Sequence, residues 1–258
     1  MDIGTIVGLL MATVAILLGL FLEGGKVGQI LQPTAALIVF GGTFGAILVQ
    51  FPISVVMAAM RSLAGIFYVP KSDPRGVIQE IVAIAFKARR AGIVSLDSEL
   101  DKIENPFMRK ALMRAVDGTE PQELRKMMEL EMENQGENEE NIPKVFESAG
   151  GFSPTIGIIG AILGLIQVMQ HLDNIDEVGK GIAVAFVATV YGVGAANLFL
   201  LPAAGKLRIR IREEQIIREM MLEGVISLLE GMNPRMIETK LDSFLTEMPA
   251  REREEVGV

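Results

Sequence analysis

The chain has 258 residues, 50% of them hydrophobic and 22% charged, with 24 lysines and arginines against 32 acids, one histidine and no cysteine. So apolar a composition excludes a disordered chain, and the missing cysteines exclude disulfides and thiolate metal sites. The formal net charge of −8 argues against a nucleic-acid partner, which calls for a basic face.

A helix needs roughly 20 mostly apolar residues to cross the hydrocarbon core. Ile3–Leu22 is the first such window and carries no charge. No basic stretch precedes it and no small-residue cleavage site follows it, so it reads as a retained span and not a signal peptide. Residues 33–51, extendable to Met60, form the second uncharged window.

The polar stretch that follows, residues 61–151, predicts helices. Ile78, Ile81, Val82, Ala85 and Phe86 recur at helical spacing, and Gly92 marks the end of that pattern. A second helix is expected over Pro106–Val116 and a third over residues 121–135. The string VDGTEP between them reads as a turn, with Thr119 as the N-cap and Pro121 at the first helical position. Residues 129–140 hold six acids, which read as a solvated face.

Two more uncharged windows cover residues 152–169 and 181–204. A helix is expected to continue from the fourth window, with Ile209, Ile216, Ile217, Met220, Leu228 and Leu229 on an apolar stripe that Gly231 and Pro234 end. A short amphipathic helix, MIETKLDSFL, and a charged tail, REREE, complete the chain.

Of the 24 lysines and arginines, 22 lie in residues 61–151 and 205–258; the others are Lys26 and Lys180. The positive-inside rule then places both large polar segments and both termini in the cytoplasm. The expected fold is an all-α integral membrane protein with four transmembrane helices, a helical cytoplasmic insertion between the second and third, and a helical cytoplasmic tail. Its divisions are 1–60, 61–151, 152–204 and 205–258.

Gly157, Gly160 and Gly164 lie in a hydrophobic window with no strand before them, so they are not a phosphate loop. Their spacing, and that of Gly181, Ala185 and Thr189 and of Ala188, Gly192 and Ala196, suits close helix packing in lipid. Close packing alone is one reading; an assembly interface or ion path is the other. Pro154 opens the third window and Pro202 lies near the end of the fourth, as helix terminators or as hinges. The windows contain hydroxyls and amides, among them Thr155, Gln167, Thr189, Tyr191 and Asn197, but no ionisable group at their centres. A proton path here would need a carboxylate from another chain.

This order of features resembles the MotA family of bacterial flagellar stators. The strings KARRAGIVSLDSELDKIENPFMRKAL, VDGTEP, SPTIGIIGAILGLI, GIAVAFVATVYGVGAANLFLLP and LEGVISLLEGMNPRMIETKL carry the likeness over nearly the whole chain. The resemblance implies a homo-oligomeric ring, a pentamer, around the spans of two MotB-like chains that supply the ion-binding carboxylate. It implies that Pro154 and Pro202 couple ion passage to movement and that Thr189 stands beside the ion site, with Tyr191 among the ion-path residues. Ala161 occupies the place of a threonine found in sodium-driven relatives. A hydroxyl helps replace the hydration of Na⁺, so Ala161 favours protons.

In the insertion the resemblance implies that Arg89, Arg90 and Asp97 meet the rotor protein FliG, with an acidic contact at Glu129, Glu131 or Glu133, of which Glu131 is the central choice. No enzyme activity, cofactor or metal is expected; the partners are membrane lipid, a MotB-like protein and FliG. The rival resemblance, to ExbB/TolQ-like energy transducers, implies three spans and an external N-terminus.

Overall fold

The structure, a computed structural model, describes residues 2–68 and 73–247; the REREE tail lies outside them. Among the described residues eight helices follow in order: α1 (Ile3–Leu22), α2 (Pro33–Gln50), α3 (Ile53–Ile66), α4 (Pro74–Ala91), α5 (Pro106–Val116), α6 (Pro121–Gln170), α7 (Ile175–Leu229) and α8 (Pro234–Glu247). π turns interrupt α2 at Leu37–Gly41 and α7 at Ala196–Leu200, and 3₁₀ segments cover Val27–Ile30 and Ile93–Lys102. Helices α1, α2, α6 and α7 are long and apolar enough to cross a membrane. No strand occurs among the described residues.

Local chemistry explains most boundaries. Phe51 precedes a proline, which disfavours the helical region, and it is extended at φ −119° and ψ 145°. The second span therefore stops at Gln50, and residues 53–66 form a separate helix instead of the extension to Met60. Helix α4 ends where Gly92 adopts φ +83°, a left-handed value that suits glycine. Leu124 donates its N–H to the Glu120 carbonyl, so Glu120, not Thr119, holds the cap position before Pro121.

The expected end of the third helix near Gln135 is not observed, because α6 runs for 50 residues through Pro143 and Pro154. Neither Pro154 nor Pro202 opens or ends a helix. Each removes one N–H donor from the ladder. At Pro202 the preceding π turn has already lengthened the bonding pattern, with the Leu201 N–H reaching the Ala196 carbonyl.

The chain divides into two compact units. The first comprises Met1–Pro70 and Glu140–Arg208. No residue of α1 is buried, as suits a helix whose uncharged surface faces lipid. Its start is fixed by Asp2, only 1% exposed, which accepts the Thr5 N–H at 3.2 Å and donates its own N–H to the Phe67 carbonyl at 2.9 Å. The Asp2 carboxylate pairs with Lys206, which also donates to the Thr5 hydroxyl. A charge this buried is tolerable because it is both paired and hydrogen-bonded. Beside it, Val56 and Ala59 of α3 pack on Val145, Phe146 and Ala149 of α6 and on Ala203, Ala204 and Leu207 of α7.

The second unit comprises Lys71–Glu139 and Ile209–Val258. Ile78 and Ile81 of α4, Met108 and Leu112 of α5, Leu124 and Met128 of α6, Met220 and Ile226 of α7, and Ile237 and Leu241 of α8 form one core. Phe86 and Ile209, placed on apolar stripes by spacing, are exposed at 44% and 55%. The acids of residues 129–140 are more than a solvated face. Glu131 pairs with Lys110 at 2.5 Å, and Glu139 takes both terminal nitrogens of Arg218 at 2.8 and 2.9 Å.

Glu223 of α7 binds Arg125 of α6 at 2.8 Å and also pairs with Lys240 of α8, joining three helices at one carboxylate. Burial pushes this carboxyl up, but hydrogen bonds from Lys240 and Arg125 outweigh burial and hold it below the ordinary carboxylate value. A carboxyl lower in pKa when folded contributes stability above its unfolded pKa and loses it as pH falls through the folded value. Glu223→Gln is therefore expected to destabilise the second unit at pH 7 by about 1–2 kcal/mol, allowing for the partial exposure of both cations. In thermal unfolding, the gap between parent and variant should close below about pH 4, where an ordinary carboxyl protonates. A gap unchanged from pH 7 to pH 3 would contradict this assignment.

Candidate functional site

The glycines of the third and fourth windows meet across α6 and α7 of the first unit. A Cβ on Gly164 would stand 2.6 Å from the Gly181 carbonyl oxygen and 2.8 Å from the Ala185 nitrogen. On Gly192 it would stand 2.5 Å from the Ser153 carbonyl oxygen and 3.2 Å from the Cα atoms of Gly157 and Pro154. Gly157 faces the Ala188 carbonyl oxygen at 2.9 Å, and Gly160 faces the Ala188 methyl at 2.8 Å. These neighbours are mostly backbone, which cannot move aside as a side chain can. All four predicted packing glycines thus lie on one seam.

The predicted ion-path residues divide around that seam. Pro154 borders it through its contact with Gly192. Thr189 is half-buried, its Cα 3.5 Å from where a Gly157 Cβ would lie, and its hydroxyl donates to the Ala185 carbonyl at 3.2 Å. Ala161 is half-buried one residue beyond Gly160, and Pro202 is exposed.

Tyr191 has a different setting. Its hydroxyl donates to the Ile30 carbonyl at 2.5 Å and accepts the Gln32 N–H at 3.3 Å, while its ring stacks on Phe40 at 5.8 Å. The side chain thus satisfies backbone groups at the start of α2, where unpaired ones would be costly in hydrocarbon. Nothing in the sequence marked this tie, which joins residues 161 positions apart.

On the outward side of the pair, Ile158, Ile162 and Leu165 of α6 and Phe186 and Val190 of α7 are exposed. The seam therefore has a broad apolar flank and no Asp, Glu, Lys, Arg or His in residues 152–169 or 181–204.

The predicted rotor residues lie in the second unit. Arg89 and Arg90 close the last turn of α4, where cations suit the helix dipole. Asp97 lies in the 3₁₀ segment after it, and all three are exposed. Among the described residues no ion pair engages Arg89, Arg90 or Asp97. Glu131 is instead engaged by Lys110, and Glu129 lies 3.7 Å from Arg125.

Comparison with known proteins places this geometry. Residues 6–92 match the motility protein A N-terminal model and residues 99–220 match the MotA/TolQ/ExbB proton channel family. Motility protein A of Bacillus subtilis (strain 168) is 34% identical over 257 residues, covering 98% of this chain and 93% of that protein.

The chain belongs to the MotA family.

Among solved structures, that of C. jejuni MotAB matches with a TM-score of 0.90 at 31% identity, covering 97% of this chain and 98% of that one. The flagellar MotAB stator complex from Bacillus subtilis matches with a TM-score of 0.86 at 33% identity, covering 98% of each chain. The N-terminal match and these full-length likenesses favour MotA over the ExbB/TolQ alternative, and the four candidate spans agree with them. As a MotA-family chain it is a membrane protein of the inner membrane.

The seam predicts a graded response to added methyl groups. Gly192→Ala is expected to destabilise the α6–α7 pair by about 1–3 kcal/mol, the usual cost of overpacking. Gly194→Ala, two residues away with nothing within 4 Å of its added carbon, should leave stability unchanged or slightly raised. Thermal unfolding of the purified membrane protein distinguishes them. Equal effects at the two positions would contradict the close approach.

Proposed function

We propose that this chain is the ion-channel and torque-generating subunit of a flagellar stator, in which proton flow along α6 and α7 drives rotation of the rotor. The observation that carries this reading is the glycine seam itself, where the apolar windows 152–169 and 181–204 of a MotA-family chain hold no Asp or Glu. The ion-binding carboxylate comes from a MotB-like partner. The MotAB complexes that this chain resembles support such a partner.

Proton use is supported by Ala161, which brings no hydroxyl where the sodium-driven pattern has a threonine, so one oxygen fewer is present to replace the hydration of Na⁺. In this reading a ring of five copies surrounds the partner spans, and the polar segments and both termini are cytoplasmic, as the distribution of lysine and arginine directs. Pro154 and Pro202 supply the interrupted hydrogen bonding at which α6 and α7 can bend.

Arg89, Arg90 and Asp97 are the proposed contacts to FliG, since they are exposed and free of ion pairs among the described residues. Glu131 is the weaker member, because Lys110 already occupies it. Exposed charges of this kind steer and register a transient contact more than they tighten it. The chain is read as a channel subunit and not as an enzyme.

Co-expression with a MotB-like partner in a cell lacking its own stator should restore swimming in sodium-free buffer. No torque with any such partner would contradict the stator reading, and motility that requires sodium would contradict only the proton assignment. Arg89→Glu should impair rotation while the complex still assembles in the membrane. Failure of that variant to co-purify with its partner would make Arg89 a structural residue.

A further inference from the structure

A hollow of about 240 Å³ opens in the second unit where α4 and α7 both end. Ala85 and Ala88 of α4, Ile93 of the 3₁₀ segment, Leu228 of α7 and Met232 beyond it form its apolar wall, and Arg89 completes the lining. Ala85 and Leu228 belong to the core of this unit, and Ala88, Ile93 and Met232 pack against it. The floor is therefore fixed before anything binds. Ligand sites usually begin near 300 Å³, and at about 30 Å³ per water-sized group this hollow holds roughly eight non-hydrogen atoms. That suits one large side chain.

The charges at its mouth select the partner. Lys87 is held by Glu99 at 2.8 Å, whereas Arg89 and Arg90 are exposed and have no ion pair among the described residues. Arg89 is itself part of the wall, within reach of whatever enters. An exposed ion pair changes affinity by at most about fivefold, so these charges steer a contact but do not hold it under load. Burying one leucine or phenylalanine side chain is worth roughly ten- to a hundredfold in affinity, and such gains act mainly on dissociation.

We propose that this hollow seats a large apolar side chain from an acidic helix of the rotor, with a carboxylate one helical turn away on Arg89 or Arg90. The inference rests on the rotor reading of those arginines and adds the anchor that exposed charge does not supply. Glu230, exposed beside the α7 part of the wall, repels acid on that side. The rotor helix therefore lies with its carboxylate toward α4.

The test uses the full chain in complex with a MotB-like partner, immobilised in detergent, and purified FliG, with association and dissociation rates read at low and high salt. Ala88→Leu, which fills the hollow, should lower affinity about ten- to a hundredfold, chiefly through faster dissociation and at both salt concentrations. Arg89→Gln should slow association about two- to fivefold at low salt and have no effect at high salt, where exposed charges are screened. A photoreactive benzophenone side chain in place of Met232 should crosslink FliG at an apolar residue within one turn of an Asp or Glu, a measure that stands even if Ala88→Leu disturbs the fold. Binding by the Ala88→Leu complex within twofold of the parent, or a crosslink to residues 248–258 of this chain, would overturn the anchor while leaving the rotor contact in place. No binding by the parent complex would contradict the rotor reading and the anchor with it.

Discussion

Helices surrounded by hydrocarbon gain little by hiding apolar side chains from one another, because lipid tails are as apolar as leucine. What distinguishes the α6–α7 pair is contact between backbones. Gly164 against Gly181 and Gly192 against Ser153 bring carbonyl oxygens to within 3 Å of the places where side chains would begin. Dispersion falls steeply with small gaps, so a methyl group at either point would forfeit contacts along the seam. The proline and the half-buried threonine assigned to the ion path both border this line.

Backbone satisfaction is the companion constraint in the first unit. Tyr191 supplies hydrogen bonds to Ile30 and Gln32, and Asp2 caps α1 while pairing with Lys206. Each places one polar side chain where the chain enters a long apolar helix. The second unit is held differently, by water-driven burial of α4, α5, α6, α7 and α8 around one core. Its ion pairs, centred on Glu223 and on Glu139 with Arg218, align helices, while Arg89, Arg90 and Asp97 stay outside that network.

The sequence disclosed the spans because uncharged windows of membrane length have few other uses, and it disclosed the seam because small residues recur at a spacing of four. Gly92 and Gly231 were legible as helix ends, whereas Pro234, expected to help end α7, opens α8. The prolines misled, since Pro154 and Pro202 suggest boundaries but lie inside continuous helices, where lipid and neighbouring helices tolerate the lost bond. Phe51–Pro52 was the real break, through the conformational restriction on the residue before proline. Tyr191, Asp2 and Glu223 could not be placed from sequence because their partners are distant along the chain. Glu131 seemed available for docking for the same reason, as nothing local announces Lys110.

Taken together, the residues describe a subunit that provides an apolar, closely packed pathway and leaves the ionisable group to another chain. That division of labour is the central claim, and proton flux tests it most directly. Vesicles containing this chain alone and vesicles containing it with a MotB-like partner freed to conduct would be loaded with a pH-sensitive dye and given an inward proton gradient. The account predicts flux only when the partner is present, lost again when the acidic residue of the partner's span is neutralised. Equal flux from this chain alone would contradict it.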